Sequence, residues 1–179
     1  MQLETQRLII REIQPNDWEA IHIYTQLPEV TQHTAWGPNT EADTNTYVEE
    51  VIAQQQQPLR QDYELAICLK NEELLIGGIG IHVQNTNAEI GYVLNPAYQG
   101  KGYMTEAAQA VLAYGFETLG VHRIFATCRP ANSASEKVMQ KIGMKCEGIM
   151  REHWYYKGQF HDSCLYSILA KEYADHSKY

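Results

Sequence analysis

Glu89-Ile90-Gly91-Tyr92-Val93-Leu94 leads, after Asn95-Pro96-Ala97, into Tyr98-Gln99-Gly100-Lys101-Gly102-Tyr103-Met104-Thr105-Glu106-Ala107. The first six residues read as a strand. From Met104 onward, apolar or small residues recur at Ala107, Ala108, Val111, Leu112, Gly115 and Leu119, which is helical spacing. A glycine-rich turn at a helix start exposes backbone N–H groups with no partner inside the helix. The positive end of the helix dipole adds to them, so the turn suits a phosphate or pyrophosphate. Gly100 and Gly102 let the backbone come close to such an anion. The plain alternative is an ordinary strand-to-helix turn. Two known phosphate loops do not fit. The nucleoside-triphosphate loop needs Lys-Ser or Lys-Thr after its last glycine, and Tyr103 follows Gly102. The dinucleotide fingerprint needs a third glycine where Thr105 stands.

The rest of the chain must decide between these readings. Its 179 residues fit one domain, residues 1–179, large enough for a real core. With 44% apolar and 20% charged residues, the composition is that of a soluble globular protein. No run approaches the roughly 20 apolar residues of a membrane span. Glu4 and Arg7 stand where a secretion signal would be apolar, so a cytoplasmic location is expected. Cys68, Cys128, Cys146 and Cys164 are scattered without zinc spacing, so no metal is expected and buried free thiols are. A net charge of −8 argues against a nucleic-acid partner. Gln54 to Gln57 reads as a solvated helix end.

Along the chain, Arg7–Glu12 reads as a first strand. A helix starts at Pro15-Asn16-Asp17, with Asn16 and Glu19 spaced like a capping box. Thr40 caps a second helix through Ile52, with Tyr47, Val48, Val51 and Ile52 facing inward. Tyr63–Leu69, Leu74–Gln84 and Ala88–Leu94 form an antiparallel meander, because the turns between them are short. Gly77, Gly78 and Gly80 suggest a bulge or a close approach within the middle strand. Arg123–Cys128 is reached through a helix and should lie parallel to Ala88–Leu94. Ser133–Ile142 is a short helix closed by Gly143. Lys145–Trp154 and Phe160–Leu169 form a hairpin through Lys157-Gly158.

Three separated motifs carry a resemblance. Gln99-Gly100-Lys101-Gly102-Tyr103-Met104 resembles the pyrophosphate loop of the GNAT N-acetyltransferases, with Met104 in place of the usual small last residue. A backbone amide does the binding there, so a side chain pointing outward leaves the loop intact. Arg129-Pro130-Ala131-Asn132-Ser133-Ala134-Ser135 followed by Lys141-Ile142-Gly143-Met144 resembles the same family's Asn-x-x-Ser helix and Lys-Leu-Gly-Phe turn. Thr5-Gln6-Arg7-Leu8-Ile9-Ile10-Arg11-Glu12 with Asp17 is similar to the branch of ribosomal-protein N-terminal alanine and serine acetyltransferases. The resemblance implies a single-domain α+β fold. Its sheet is mixed and mostly antiparallel, with about seven strands flanked by about four helices. It also implies that the parallel pair Ala88–Leu94 and Arg123–Cys128 splays apart to admit acetyl-pantetheine.

Acetyl transfer to an amine requires that the donor be held, the ammonium deprotonated, the oxyanion stabilised and the thiolate protonated. The resemblance assigns acetyl-CoA to Gln99, Gly100, Lys101, Gly102, Tyr103 and Met104 for the pyrophosphate. It assigns Tyr92, Val93 and Leu94, as a pseudo-strand, and Asn132 to the pantetheine arm. The alternative for Asn132 is a helix cap. Glu89 is the candidate general base, with a cross-strand salt bridge or an ammonium contact as the alternatives. The tyrosine that many relatives carry seven residues after the Asn is Met139 here, which leaves Ser135 as the candidate acid, against a hydroxyl bonded to its own helix. A backbone N–H near Val93 would meet the oxyanion. Cys128 has no sequence-adjacent His and reads as core rather than nucleophile. His33, Trp36 and Trp154, with Tyr24, are candidates for the acceptor wall, where packing is the alternative.

The leading expectation is an acetyl-CoA-dependent N-acetyltransferase acting on the N-terminal α-amine of a protein or peptide, without nucleic acid or membrane, as a monomer or homodimer. A small-molecule amine such as an amino acid, polyamine or antibiotic is the second. A non-catalytic acyl-CoA sensor is the third, kept open by Met139.

Overall fold

Eight strands make one sheet, in the order β1-β2-β3-β4-β5-β6-β8-β7, in the computed structural model, which describes residues 1–176. They are β1 (Gln2–Glu4), β2 (Leu8–Glu12), β3 (Asp62–Leu69), β4 (Leu75–Gln84), β5 (Asn87–Leu94), β6 (Arg123–Cys128), β7 (Lys145–Tyr156) and β8 (Gln159–Leu169). The short turns after β3 and β4 allow only antiparallel pairing, and both pairs are antiparallel. Between β5 and β6 the chain crosses over through a helix, and this pair alone is parallel among the described residues.

Among the described residues six α-helices flank the sheet: α1 (Trp18–Thr25), α2 (Pro28–Thr31), α3 (Glu41–Gln55), α4 (Tyr103–Ala113), α5 (Ser133–Lys141) and α6 (Ala170–His176). The alternation of side chains along each strand gives the sheet two different faces. One carries Leu65, Ile67, Ile79, Ile81, Ala88, Ile90, Ile124 and Ala126. Against it pack Met104, Ala107, Ala108, Val111 and Leu112 of α4 and Met139 of α5, all buried. The other face has a smaller apolar set, in which Ala66 and Cys68 meet Ile21 and Tyr24 of α1 and Val48 and Val51 of α3. That smaller core leaves room for a cavity.

The structure departs from the sequence reading in several places. The sheet has eight strands rather than about seven, because Gln2–Glu4 pairs with β2. There are six helices rather than about four, since Pro28 starts one extra turn and Ala170 another helix. Met104 does not point outward: it sits on the same helix stripe as Ala107, Ala108 and Val111 and is buried with them. No capping box forms from Asn16 and Glu19. The carboxylate of Asp17 instead accepts the Gln14 N–H at 2.7 Å and the Arg11 guanidinium at 2.7 and 2.9 Å. Thr40 does cap α3, accepting the Asp43 N–H at 3.2 Å while Asp43 accepts the Thr40 N–H at 2.8 Å. All four cysteines are free and lie in strands; Cys68 and Cys128 are buried, but Cys146 on the edge strand is exposed.

Leu112 is 2% exposed at the centre of the larger core. Leu112→Ala is expected to lower unfolding stability by about 2–5 kcal/mol, read from urea denaturation with an unchanged slope.

Candidate active site

The parallel pair determines where the site is. β5 and β6 are in register at Asn87–Arg123, Ala88–Ile124 and Glu89–Phe125 and at no later position. Beyond that, β5 stays paired with β4 as far as Leu94, and β6 stays paired with β8 as far as Cys128. Each strand keeps its outer neighbour, so the sheet opens between Ile90–Leu94 and Ala126–Cys128. A cavity of about 850 Å³ lies over the opening, on the face that carries α1 and α3. Gly78, Gly80, Gly91 and Val93 line it from the strands, Tyr24 and Tyr47 from the helices, and Thr127, Cys128 and Arg129 from the end of β6.

The glycine loop has the conformation an anion cradle requires. Gly100 and Gly102 have φ of 75° and 81°, and Gly102 is the residue that caps α4. A side chain at either position would be strained. The loop is fixed from the start of the chain. Glu106, in the first turn of α4, accepts the Thr5 hydroxyl at 2.6 Å, the Arg7 N–H at 2.8 Å and the Arg7 Nε at 2.6 Å. Burial pushes the Glu106 carboxyl up, but these three bonds and the Arg7 charge outweigh it and hold the carboxyl below its ordinary range. Arg7 also donates to the Lys101 carbonyl at 3.0 Å and stacks on Tyr103. Arg7 and Lys141 line a second, open pocket beside Gly102. The bare N–H groups, the left-handed glycines, the adjacent cations and the open strand pair fit a molecule with a pyrophosphate at one end and a thin arm at the other, as acetyl-CoA has.

The other predicted residues fall around the same opening. Tyr92, Val93, Asn132 and Ser135 line the cavity. Gln99 donates to the Leu94 carbonyl at 3.2 Å and so ties the loop to the end of β5. Asn132 caps α5 through Oδ1, which accepts the Ser135 N–H at 3.1 Å. It caps the helix and lines the cavity at once. The Tyr92 hydroxyl lies 3.0 Å from Ser135 Oγ and 3.0 Å from the Ser135 carbonyl. Burial pushes this phenol up to about 12, so it stays protonated. Met139 is buried in the larger core, so the tyrosine missing there has no direct substitute at that position. Burial likewise pushes the Cys128 thiol up to about 12, which disfavours its thiolate.

Glu89 stands at the last position where β5 and β6 still pair, and it does not line the cavity. Its carboxyl is raised by burial, with His82 and His153 pulling it the other way. His82 is the register partner of Glu89. The His82 ring spans two further carboxylates, with Nδ1 2.9 Å from Asp62 and Nε2 3.2 Å from Glu64. The Tyr47 hydroxyl donates to the other Glu64 oxygen at 3.2 Å. The bond to Glu64 is the main cause that raises His82 to about 9, against desolvation, which lowers it. Asp62, Glu64 and His82 were not among the residues expected from sequence. Asp62 and Glu64 alternate on one strand face, but only the strand register brings His82 between them.

His33, Trp36 and Trp154 all line the cavity, together with Tyr24 and Tyr156. His33 is lowered by burial and by the nearby Arg129 charge. Lys157, at the tip of the β7–β8 hairpin, donates to the Thr31 carbonyl at 2.7 Å and the Trp36 carbonyl at 3.3 Å, which ties the two halves of this wall together. Buried in the same wall, Arg129 Nη1 and the Tyr156 hydroxyl have no hydrogen-bond partner among the described residues.

Residues 7–145 match the family described as an acetyltransferase (GNAT) domain. The chain belongs to this family. The Bacillus subtilis (strain 168) protein named Uncharacterized N-acetyltransferase YnaD is 38% identical over 175 residues, covering 97% of this chain and 99% of its own length. The crystal structure of the acetyltransferase (GNAT family) from Bacillus anthracis superposes with a TM-score of 0.87 at 38% identity, covering 96% of this chain and 99% of that one. The Escherichia coli (strain K12) ribosomal protein uS5-alanine N-acetyltransferase is 31% identical over 84 residues, covering 47% of this chain and 43% of its own length. The chain is thus an N-acetyltransferase of the GNAT family. No helix among the described residues is long and apolar enough to cross a membrane.

Because His82 is raised above its unfolded value of about 6.5, its ion pairs stabilise the fold fully below that pH and lose their effect as pH rises through about 9. The difference in denaturation midpoint between wild type and His82→Gln should therefore be largest near pH 6 and shrink steadily towards about pH 10.

Proposed function

We propose that the enzyme transfers an acetyl group from acetyl-CoA directly to a primary amine, and that the acceptor is the N-terminal α-amine of a peptide or protein. The observation that carries this reading is the alignment of three features. A glycine cradle lies at the start of α4, the sheet opens beyond Glu89–Phe125, and a cavity lies over that opening. Acetyl-CoA supplies the activated acyl carbonyl when bound. Backbone N–H groups of Gly100 to Met104 hold its pyrophosphate, with Arg7 and Lys141 beside them. Asn132 and the exposed edge of Tyr92, Val93 and Leu94 hold its arm.

Glu89, which stands just behind the cavity lining, takes the proton from the acceptor ammonium through a bridging water. An α-ammonium of pKa about 8 is already partly neutral at physiological pH, so a carboxylate raised by burial suffices. A backbone N–H on the open edge beside Val93 meets the developing oxyanion, and the Ser135 hydroxyl, backed by the Tyr92 hydroxyl, donates a hydrogen bond to the departing thiolate. The acceptor wall favours a peptide. Its buried donors on Arg129 and Tyr156 call for acceptor oxygens, which a peptide carries next to its α-amine and a polyamine lacks. A polyamine is the second reading, supported by the carboxylates of Asp43, Glu50 and Glu64 in the cavity lining.

The test is a mass-spectrometric assay with acetyl-CoA and a panel of peptides varied at the first residue, together with spermidine and free amino acids. Acetylation of peptide α-amines is expected. Glu89→Gln should lower kcat by about 10²–10⁴-fold with little change in the KM for acetyl-CoA. Ser135→Ala should lower kcat less, because a thiolate is a tolerable leaving group. Product on spermidine alone would replace the peptide reading, and unchanged kcat in Glu89→Gln would remove the base assignment.

A further inference from the structure

The sheet beneath the cavity is built in cross-strand rows, of which His82, Glu64, Gly80 and Gly91 reach the cavity lining. One row runs Asp62–His82–Glu89–Phe125, through the last pairing that closes the sheet. The adjacent row runs Glu64–Gly80–Gly91 and ends at the opening. Residues in one row project from the same face, so Glu64 extends over Gly80 towards Gly91. The two glycines leave that path clear. A Cβ on Gly80 would stand 2.9 Å from both Glu64 carboxylate oxygens and 2.9 Å from His82 Nε2, whereas a Cβ on Gly91 would have nothing within 4 Å. The carboxylate thus occupies space that only glycine provides, and open space lies between it and the splayed strands.

The Glu64 carboxylate is held in place. His82 Nε2 is 3.2 Å from one oxygen, and the Tyr47 hydroxyl donates to the other at 3.2 Å. A carboxylate has about four lone-pair sites, and these two partners leave about two for a ligand. With Asp62 and Glu64 around one imidazolium, this end of the cavity is negative overall and attracts a cation. The opposite wall calls for a polar ligand on independent grounds: Tyr156 is 8% exposed and its hydroxyl has no partner.

Accepting the acetyltransferase reading above, we propose that Glu64 is the docking carboxylate for the acceptor ammonium, and that it holds the amine over Gly91 at the mouth of the opening. His82 and Tyr47 are positioning residues that aim Glu64. Glu89, one row back, keeps a separate role in proton removal. The ligand class is a primary ammonium, and the selectivity is for the charged amine over its acetylated, uncharged product. The same carboxylate therefore draws in the substrate and releases the product.

The experiment measures binding and turnover in parallel. Calorimetric titration of coenzyme A-saturated protein uses two probes, an alanine-led hexapeptide and spermidine, each against its N-acetylated form. Wild type should prefer the free amine of at least one pair. Glu64→Gln should lose that preference by about ten- to a hundredfold, the usual size of a lost charge-assisted bond. Glu64→Asp should recover part of it and Glu89→Gln should retain it. In turnover, Glu64→Gln should raise the KM for amine while leaving the KM for acetyl-CoA unchanged. Gly80→Ala keeps every charge but crowds the carboxylate, and it should shift the amine KM in the same direction. Thermal melts establish that each variant is folded. The assignment is overturned if folded Glu64→Gln keeps the preference, or if wild type prefers neither free amine. Transfer to amines with the preference intact in Glu64→Gln would remove Glu64 alone. No transfer by wild type to any amine, despite a Glu64-dependent preference, would remove the catalytic reading and leave the docking site standing.

Discussion

The site depends on strand pairing that stops early. Backbone N–H and C=O groups in a sheet must find partners, and a pair of central strands normally satisfies them mutually. Here β5 and β6 do so over three positions and then each satisfies only its outer neighbour. The unpaired inner edges are what a pantetheine arm can use, since an amide-bearing chain laid between them restores the missing ladder as an added strand does. The remaining architecture supports that opening. α4 and α5 pack on the sheet face behind it, and the smaller core with α1 and α3 on the other face leaves the cavity over the opening.

Electrostatics divides the same region into two halves. On the loop side the N-terminal end of α4 and Lys141, beside the paired Arg7 and Glu106, favour an anion. On the acceptor side, carboxylates dominate the floor and one imidazole links them. A protein with a net charge of −8 thus keeps its local positive potential where the co-substrate is most anionic. Overall charge would not have located either half.

Much of the fold was legible because local rules sufficed. The helical stripe from Met104 to Leu112, the short meander turns and the Thr40 cap are all decided within a few residues, and the sheet, crossover and helices followed. The short β1 and α2 were missed because three or four residues carry too little pattern. Met104 belongs to both the loop and the helix stripe, and its burial follows from the stripe. The glycine loop and the strand before it were legible because they are contiguous in sequence. The acceptor half of the site was not. Glu64, His82 and Tyr47 come from three elements, and nothing in a strand's own alternation states which residue will face it across two ladders. Arg129 and Tyr156 were missed for the same reason, since each becomes notable only when its lack of a partner is seen.

The clamp between Thr5, Arg7 and Glu106 joins residues about a hundred positions apart, and it joins the first pairing of the sheet to the glycine loop that opens α4. The free energy of that junction is shared. Whatever occupies the loop and draws it tight favours the docked first strands, and whatever loosens those strands lowers affinity at the loop by the same factor, because linkage is reciprocal. The segment Thr5–Arg7, far from the opening between β5 and β6, is therefore energetically part of the glycine loop.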